Sequence, residues 1–326
     1  MTLVSNRYSR QVVLPEVGAG GQARLTAASV AVVGAGGLGC AVLEYLTAAG
    51  VGRLTIVDHD LVEESNLHRQ PLYRMSDLGR PKVEAARAAL GALNPEVQVE
   101  ARAERLTPAN AAALAAAADV VVDAADSFAV TYILSDACLR AGKALVSASV
   151  LGLCGYVGAF CGGAPSYRAV FPELPRQAGS CAESGVLGTA VGVLGTLQAH
   201  LTLSLLLGLE PTVLGRLINV DLRTLHLGGF SFTGAREPSE VLAFIAPEDV
   251  APSDLVIDLR SMTEAPVSPF AAAWRVGVEA LEQGDQSLPD ARRIVLCCRT
   301  GVRAWRAARA LAARGHRNVA LIALGG

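Results

Sequence analysis

A glycine-rich turn occupies residues 32–39, with the sequence Val32-Val33-Gly34-Ala35-Gly36-Gly37-Leu38-Gly39. An apolar strand should precede the glycines and a helix should follow them, so free backbone N–H groups and the positive end of a helix meet at one point. Such a point binds phosphates, and Asp58, at the end of the next apolar run, is placed to hold a ribose. The glycines alone do not distinguish NAD, FAD and ATP. We expect all four glycines of the turn, Gly34, Gly36, Gly37 and Gly39, to form part of a nucleotide site.

Short apolar runs alternate with segments of helical spacing or alanine-rich composition through the first half of the chain. The runs cover residues 30–33, 54–58, 120–123 and 144–148. This alternation predicts an α/β fold with a doubly wound, Rossmann-like and mostly parallel sheet.

The 326 residues, 52% of them hydrophobic, are enough for one large domain and a small one. Glycine and proline become frequent around residues 229–253, which predicts a linker there. We therefore expect a nucleotide-binding domain over 1–228 and a second, smaller α/β domain over 254–326. The second domain should contain strands at 255–258 and 294–297, followed by a helix from about residue 302 to 313.

The composition argues against several classes of protein. A net charge of −2 gives no bulk attraction to nucleic acid or to anionic lipid. The N-terminus lacks the apolar core of a signal peptide, and the seven scattered cysteines do not resemble a secreted disulfide framework. The apolar stretch 185–209 contains Gln198 and His200, which favours a buried helix over a membrane span. We expect a cytoplasmic protein that binds neither nucleic acid nor membrane.

Polar and cationic residues follow the ribose acid, where a nicotinamide enzyme needs little. They include Asn66, Arg69, Gln70 and Lys82, a set suited to a triphosphate. Taken singly, each cation could be a solvated surface charge. Asp60 and Asp123 could either serve the site or only shape their loops.

With these motifs in one order, the chain resembles the adenylating enzymes of molybdopterin and thiamine biosynthesis, whose fold is shared with ubiquitin-activating enzymes. The resemblance covers about residues 7–227. Besides the glycine turn, it rests on Arg7-Tyr8-Ser9-Arg10-Gln11, Gly50-Val51-Gly52, Asp58-x-Asp60-x-Val62, Ser65-Asn66-Leu67-x-Arg69-Gln70, Pro81-Lys82 and Asp123-x-x-Asp126.

The resemblance implies a catalytic set. A carboxylate must attack the α-phosphorus of ATP, so cations must neutralise the negative charge that gathers there. Arg69 and Lys82 are suited to this task. By similarity, Arg10 would reach into the site of a partner subunit, which implies a homodimer.

The same resemblance implies a binding set for ATP and Mg²⁺. Asp58 would hold the ribose, and Asn66 and Gln70 would contact the nucleotide. Asp126 would hold Mg²⁺ beside the phosphates, although an aspartate at this point could also cap the next helix.

Many similar enzymes bind a structural zinc with two Cys-x-x-Cys pairs. Here the first pair is replaced by Ser166-Tyr167-Arg168-Ala169, and no cysteine follows Asp221 before Cys297. We therefore expect no zinc site. Cys181 lies where similar enzymes carry a cysteine on a mobile loop over the adenylate, so it could form a covalent acyl link or simply be a small loop residue.

A different cysteine signal occurs at Cys297-Cys298-Arg299-Thr300-Gly301-Val302-Arg303, where a strand meets a short loop and then a helix. The helix N–H groups and the two arginines would stabilise a thiolate at Cys298, while Cys297 should point into the core. With Asp258-Leu259-Arg260 upstream, residues from about 239 onward resemble a rhodanese domain, in which the loop cysteine carries a persulfide. The usual histidine-isoleucine-proline-glycine segment is missing, so the module is expected to be abbreviated and its loop could be inactive. The persulfide loop would comprise Cys298, Arg299, Gly301 and Arg303.

The favoured function is Mg-ATP-dependent adenylation of the C-terminal glycine of a small ubiquitin-like sulfur carrier, followed by sulfur transfer to give a thiocarboxylate. The small subunit of molybdopterin synthase is the preferred carrier and the thiamine carrier is next. A persulfide donor such as a cysteine desulfurase would supply the sulfur. The alternatives are an NAD-dependent oxidoreductase and a carrier-binding module without chemistry.

Overall fold

A computed structural model describes residues 6–174, 185–284, 288 and 293–325. Its helices are α1 (Ser9–Val12), α2 (Gly18–Ala27), α3 (Gly37–Ala48), α4 (Lys82–Leu93), α5 (Pro108–Ala117), α6 (Phe128–Ala141), α7 (Tyr167–Val170), α8 (Gly188–Leu207), α9 (Val278–Gln283) and α10 (Val302–Ala312). Its strands are β1 (Ser29–Val33), β2 (Arg53–Val57), β3 (Gln98–Arg102), β4 (Val120–Asp123), β5 (Ala144–Leu151), β6 (Cys154–Cys161), β7 (Arg216–Asp221), β8 (His226–Ser231), β9 (Ala243–Phe244), β10 (Leu255–Asp258), β11 (Trp274–Arg275), β12 (Ile294–Cys298) and β13 (Val319–Ala323).

The larger sheet has eight strands in the order β3-β2-β1-β4-β5-β6-β7-β8. The first five are parallel, and β6, β7 and β8 extend the sheet in antiparallel fashion. The predicted doubly wound, mostly parallel α/β fold is therefore confirmed. The strand order reverses between β1 and β4, and ligands of such sheets bind at the carboxyl ends of the strands near this reversal.

The smaller sheet is parallel, in the order β11-β10-β12-β13-β9. The second α/β unit expected from the sequence is thus present. The stretch 229–253 carries the end of β8 and all of β9, and β9 pairs with β13. The division of the chain at this stretch stays a prediction.

Helices cover both faces of the larger sheet. Buried side chains of α3, α4 and α8 form an apolar layer on one face, and those of α5 and α6 lie on the other. By length and composition α8 could cross a membrane, but 56% of its apolar window is buried. The side-chain amide of Gln198 on this helix donates to the carbonyl oxygens of Asp123 and Val146, at 2.6 and 3.0 Å. The helix predicted within 185–209 is therefore a core helix of this fold.

The two sheets share one apolar cluster. It joins α5 and α6 of the larger unit to α10 and the strands of the smaller unit. The ring centroids of Tyr132 on α6 and Trp305 on α10 lie 5.3 Å apart. The smaller unit consequently packs against α6 of the same chain.

Candidate active site

Three glycines of the turn are required by close packing. Gly34 has φ of +98°, and a Cβ there would lie 2.6 Å from the carbonyl oxygen of Ala124. A Cβ on Gly37 would lie 2.5 Å from a methyl group of Val191, and one on Gly39 would collide with the carbonyl of Gly34. These contacts bring β1, β4, α3 and α8 together, so a larger side chain at any of the three positions would displace an element.

Gly36 differs because a Cβ there would collide with no described atom. The nearest atom to a Cβ there would be Nε2 of Gln70, at 3.7 Å. Gln70 is only 2% exposed, and its Nε2 donates to Oδ1 of Asn66 at 3.0 Å. No hydrogen bond to the Oε1 atom of Gln70 is found within the described chain. An open glycine beside an unsatisfied buried amide oxygen is consistent with the approach of a polar ligand such as a nucleotide.

Ala35 in the turn is held through both of its backbone polar groups. Its N–H donates to Oδ2 of Asp58 at 2.7 Å, and its carbonyl accepts from the hydroxyl of Tyr73 at 2.6 Å. Burial raises the pKa of Tyr73, which keeps this hydroxyl a donor. Tyr73 is a residue that the sequence reasoning missed, because an isolated tyrosine carries no motif.

Lys82 is connected to the turn through two aspartates. Its Nζ lies 2.8 Å from Oδ2 of Asp60, and the backbone N–H of Asp60 donates to Oδ1 of Asp58 at 2.8 Å. Burial tends to raise the pKa of Asp60, but the hydrogen bond and charge of Lys82 outweigh it, so this pKa lies below its ordinary value. Lys82 is itself 5% exposed. Asp60 therefore forms an ion pair with Lys82.

Arg69 lies at the mouth of an open cleft. Its guanidinium donates to the carbonyl of Ser65 at 3.2 Å and lies 2.8 Å from Nε2 of His68. The cleft has a volume of about 420 Å³, and its lining is mostly apolar and rich in small residues, including Gly37 and Gly188. A narrow, extended chain end would fit such a lining.

The two acids after β4 have different surroundings. Asp123 is fully buried and accepts from the hydroxyl of Ser147 at 2.8 Å. Burial raises its pKa to about 6, and the charge of Asp126 adds to this effect. The burial of Asp123 and its hydrogen bond with Ser147 favour the structural alternative for this residue. Asp126 is exposed, and no hydrogen bond to its carboxylate occurs among the residues that the structure describes.

Carboxylates near the glycine turn that could hold a divalent cation include those of Asp58, Asp60 and Asp126. Asp58, His59 and Asp60 offer ligand atoms within 4.8 Å of one another. However, Asp58 already accepts two backbone hydrogen bonds and Asp60 pairs with Lys82. Asp126 keeps its oxygens available, and Mg²⁺ prefers such carboxylate ligands together with phosphate oxygens and water. The available carboxylate of Asp126 is thus compatible with Mg²⁺, and binding of the ion there stays a prediction.

Arg10 is presented outward from helix α1. The helix is anchored by Tyr8, whose hydroxyl donates to Glu96 at 2.9 Å, and by Gln11, whose amide donates to Gln22 at 2.8 Å. Arg10 is exposed and forms no hydrogen bond or ion pair with any described residue of its own chain. The structure therefore does not bring Arg10 to the glycine turn of the same chain, and its reach into a partner's site stays a prediction.

The Cys298 loop forms a small cradle for a sulfur atom. The Sγ of Cys298 accepts from the backbone N–H groups of Gly301 and Ala304, at 3.2 and 3.4 Å. Gly301 has φ of +84°, a conformation that favours glycine. Arg303 donates to the carbonyl of Leu259 at 3.1 Å and also interacts with Cys298. Cys298 has no exposed surface.

The neighbouring positions behave as the strand alternation predicts. Cys297 is buried in a separate apolar cluster on the other face of the smaller sheet. Burial raises the pKa of Cys297 to about 12, so its thiol stays protonated at neutral pH. Arg299 is exposed, and its carbonyl accepts from the N–H of Gly325 at 2.8 Å.

The last two cysteine predictions concern Cys181 and the zinc site. Cys181 lies outside the described residues. The segment that replaces the first zinc pair is held by other contacts: the backbone N–H of Ser166 donates to Glu237 at 2.7 Å, and Arg168 binds Asp136 through two nitrogens at 2.6 and 2.9 Å. The expected lack of zinc stays a prediction.

The ThiF family model matches residues 8–240. A sulfur carrier protein adenylyltransferase of Thermus thermophilus is 47% identical over 224 residues, which are 66% of this chain and 83% of that protein. The adenylyltransferase and sulfurtransferase MOCS3 of Bos taurus is 51% identical over 218 residues. That match covers 66% of this chain but only 48% of MOCS3, so the aligned part spans about half the length of this relative.

A further relative aligns with both units of the chain. The probable adenylyltransferase/sulfurtransferase MoeZ of Mycobacterium tuberculosis is 35% identical over 346 aligned positions, covering 94% of this chain and 87% of MoeZ. Among solved structures, Escherichia coli MccB with MccA-N7isoASN has a TM-score of 0.62 at 22% identity, over 71% of this chain and 73% of MccB. This likeness supports the fold alone. The family match and the similarity to the Thermus protein together show that the chain belongs to the ThiF family.

Proposed function

We propose that the protein uses Mg-ATP to adenylate the C-terminal glycine of a small ubiquitin-like sulfur carrier and then converts it to a thiocarboxylate. The observation that carries the proposal is the linked set of Lys82, Asp60 and Asp58 on the glycine turn, in a chain that also holds the Cys298 cradle. The names of the Thermus, Bos and Mycobacterium relatives support both halves of this chemistry.

In the first step a carboxylate oxygen of the carrier attacks the α-phosphorus of ATP. The bond to the β-phosphate oxygen breaks, pyrophosphate leaves and an acyl-adenylate forms. Negative charge gathers during the attack, so Arg69 and Lys82 would stabilise it, while the turn's N–H groups orient the phosphates. Mg²⁺, held by Asp126, would supply charge neutralisation beside the phosphates.

In the second step the outer sulfur of a Cys298 persulfide attacks the acyl carbon. The bond to AMP breaks, AMP leaves and an acyl disulfide joins the carrier to Cys298. A thiolate, from Cys181 or an external dithiol, then attacks the Cys298 sulfur and releases the thiocarboxylate. The disulfide that remains is reduced by a dithiol, and a donor such as a cysteine desulfurase reloads Cys298.

Several features support the expected partners. The cleft beside Arg69, lined with small residues, suits the Gly-Gly tail of a carrier. The exposed Arg10 on an anchored helix suits a homodimer in which each subunit completes the other's site. The molybdopterin synthase small subunit is our preferred carrier, with the thiamine carrier next, and we propose a cytoplasmic location without nucleic acid or membrane partners.

Replacing one cysteine separates the two steps. We expect Cys298→Ala to keep carrier-dependent ATP–pyrophosphate exchange within about twofold of the wild-type rate and to abolish thiocarboxylate, measured by mass spectrometry of the carrier. Cys154→Ala, at an exposed cysteine far along the chain from the loop, is the matched control and should retain both. Loss of both activities in Cys298→Ala alone would contradict this division of labour.

A further inference from the structure

The Cys298 loop contacts the larger unit at the start of α6. A Cβ on Gly301 would lie 3.3 Å from the Cβ of Ala129, which belongs to the first turn of that helix. The same helix begins just after Asp126, at the carboxyl end of β4. The loop therefore lies against the edge of the larger sheet at which the nucleotide should bind.

A second contact lies two strands beyond the glycine turn. The segment after β13 runs beside the loop, with the N–H of Leu324 donating to the carbonyl of Cys298 at 2.9 Å. A Cβ on Gly325 would collide with the guanidinium of Arg105, which follows β3. The positive charge of Arg105 also acts on Asp60, beside the turn.

These two contacts bracket the candidate nucleotide site. In the sheet order β3-β2-β1-β4, the strands that end just before Asp58 and Gly34 lie between the two contact points. Neighbouring strands are about 4.8 Å apart, so the bracketed edge is only about 14 Å wide. The cysteine loop and the segment beside it therefore span the edge of their own chain where an adenylate would form.

Two more contacts hold the smaller unit in this position. Trp305 packs on Tyr132, and Arg309 forms an ion pair with Glu173 at 2.6 Å. The buried Arg168 lies over both aromatic rings, 4.6 Å from the centroid of Tyr132. Since Trp305 and Arg309 lie on α10, directly after the loop, these contacts fix the direction in which the loop faces.

We infer that the Cys298 loop transfers sulfur to the acyl-adenylate formed on its own chain and not to that of a partner subunit. The inference rests on the proposed function. The bond changes are those of the second step: the outer persulfide sulfur bonds to the acyl carbon, AMP leaves, and an external dithiol supplies the reducing electrons that release the thiocarboxylate. Because Cys298 has no exposed surface, the loop must shift during transfer, and its contacts with Ala129 and Arg105 lie on its own chain.

Mixed dimers test this assignment directly. Full-length Arg69→Ala and Cys298→Ala chains with different tags are co-expressed, and the mixed dimer is isolated by two successive affinity steps. Only the Cys298→Ala chain can adenylate, and only the Arg69→Ala chain can carry sulfur. We expect about half of the wild-type pyrophosphate exchange, with no more thiocarboxylate than the Cys298→Ala homodimer makes.

Thiocarboxylate at about half of the wild-type yield from the mixed dimer would overturn the inference, since the sulfur would then have crossed between chains. Failure of the wild-type dimer itself to make thiocarboxylate would instead contradict the proposed function. Lys82→Ala provides a second adenylation-deficient chain and should give the same pattern.

A crosslinking experiment tests, independently of enzyme activity, whether the smaller unit packs against the larger unit of its own chain. Glu173→Cys and Arg309→Cys, both at exposed positions, are introduced together and treated with a short bismaleimide. In dimers assembled from ¹⁴N- and ¹⁵N-labelled chains, we expect peptides joined within one isotope only. Peptides that join the two isotopes would place the smaller unit on the partner and overturn the inference.

Discussion

Gly36 and the other glycines of the turn are glycines for different reasons. A Cβ on Gly34, Gly37 or Gly39 would collide with neighbouring atoms, whereas one on Gly36 would meet only Gln70, at an ordinary contact distance, and the φ of −81° at Gly36 does not require glycine. Spacing alone predicted all four as a nucleotide site. The packing distinguishes Gly36, which we propose to face a ligand, from the three glycines that allow the elements to approach closely.

Substitution of Gly36 by alanine tests this distinction. We expect Gly36→Ala to leave the thermal midpoint nearly unchanged, because the added methyl meets only Gln70 at 3.7 Å. The same methyl would obstruct a phosphate, so the Kd for ATP should rise by about tenfold or more. Gly91→Ala, on the exposed face of α4, is the control and should add about 0.5–1 kcal/mol of stability without changing the Kd. Equal ATP affinity in Gly36→Ala and wild type would contradict the site.

Asp123 should leave a signature in the pH dependence of stability. Its pKa is raised by burial to about 6 from 3.8, so the fold favours the protonated acid. The stabilisation is fully present below pH 3.8 and is lost as pH rises through 6, by about 3 kcal/mol in total. Asp123→Asn cannot ionise. We expect the difference in unfolding free energy between wild type and variant to change by about this amount between pH 3 and 8 in urea titrations, whereas a constant difference would refute it.

Among individual residues, those that belong to motifs are predictable from the sequence, whereas the residues that hold them in place are not. Asp58, Gln70 and Lys82 could be selected because each has a defined position after the glycine turn. Tyr73 could not, since its hydrogen bond to Ala35 depends on a fold that brings together residues 38 positions apart in the chain.

Among the secondary-structure elements, the buried ones were predictable and the edge strands were not. The apolar runs at 30–33 and 120–123 correspond to β1 and β4, which are almost wholly buried. Strands β3 and β8 lie at the two edges of the sheet and contain no buried residue, so neither sequence forms a continuous apolar run. Hydrogen bonding to the neighbouring strand defines them, and a sequence does not display that.

An ion pair joins helices α6 and α7 where similar enzymes carry the first Cys-x-x-Cys pair. Arg168 is 4% exposed and binds Asp136 through two nitrogens. We expect Arg168→Ala to cost about 3–5 kcal/mol in urea unfolding, because it leaves a largely buried carboxylate unpaired. The paired change Arg168→Met with Asp136→Leu should be close to neutral.

The matched control for that prediction is an exposed ion pair. Arg87 pairs with Glu84 on the surface of α4, and Arg87→Ala should cost less than about 0.5 kcal/mol. A decrease in the unfolding free energy of less than about 1 kcal/mol in Arg168→Ala would contradict the stabilising role of the Arg168–Asp136 ion pair.

For the whole molecule, the sequence predicted two α/β units but not how they meet. The composition of 229–253 suggested separation, whereas Phe244 from that stretch lies against Gly301 and strand β9 completes the smaller sheet. Contacts such as Tyr132 with Trp305 join residues far apart in the chain, and no motif marks them. The arrangement bears on the proposed sulfur transfer because the Cys298 loop contacts the first turn of α6, beside the proposed nucleotide edge.

Carrier-dependent ATP–pyrophosphate exchange tests whether this chain adenylates the C-terminal glycine of a sulfur carrier. Molybdopterin-type and thiamine-type carriers are offered separately, each with an intact or a truncated Gly-Gly tail. We predict exchange with one intact carrier, none with its truncated form, and at least a hundredfold lower rate in Arg69→Ala. ATP binding without exchange for any intact carrier, in a protein that binds that carrier, would contradict adenylation as the activity of this chain.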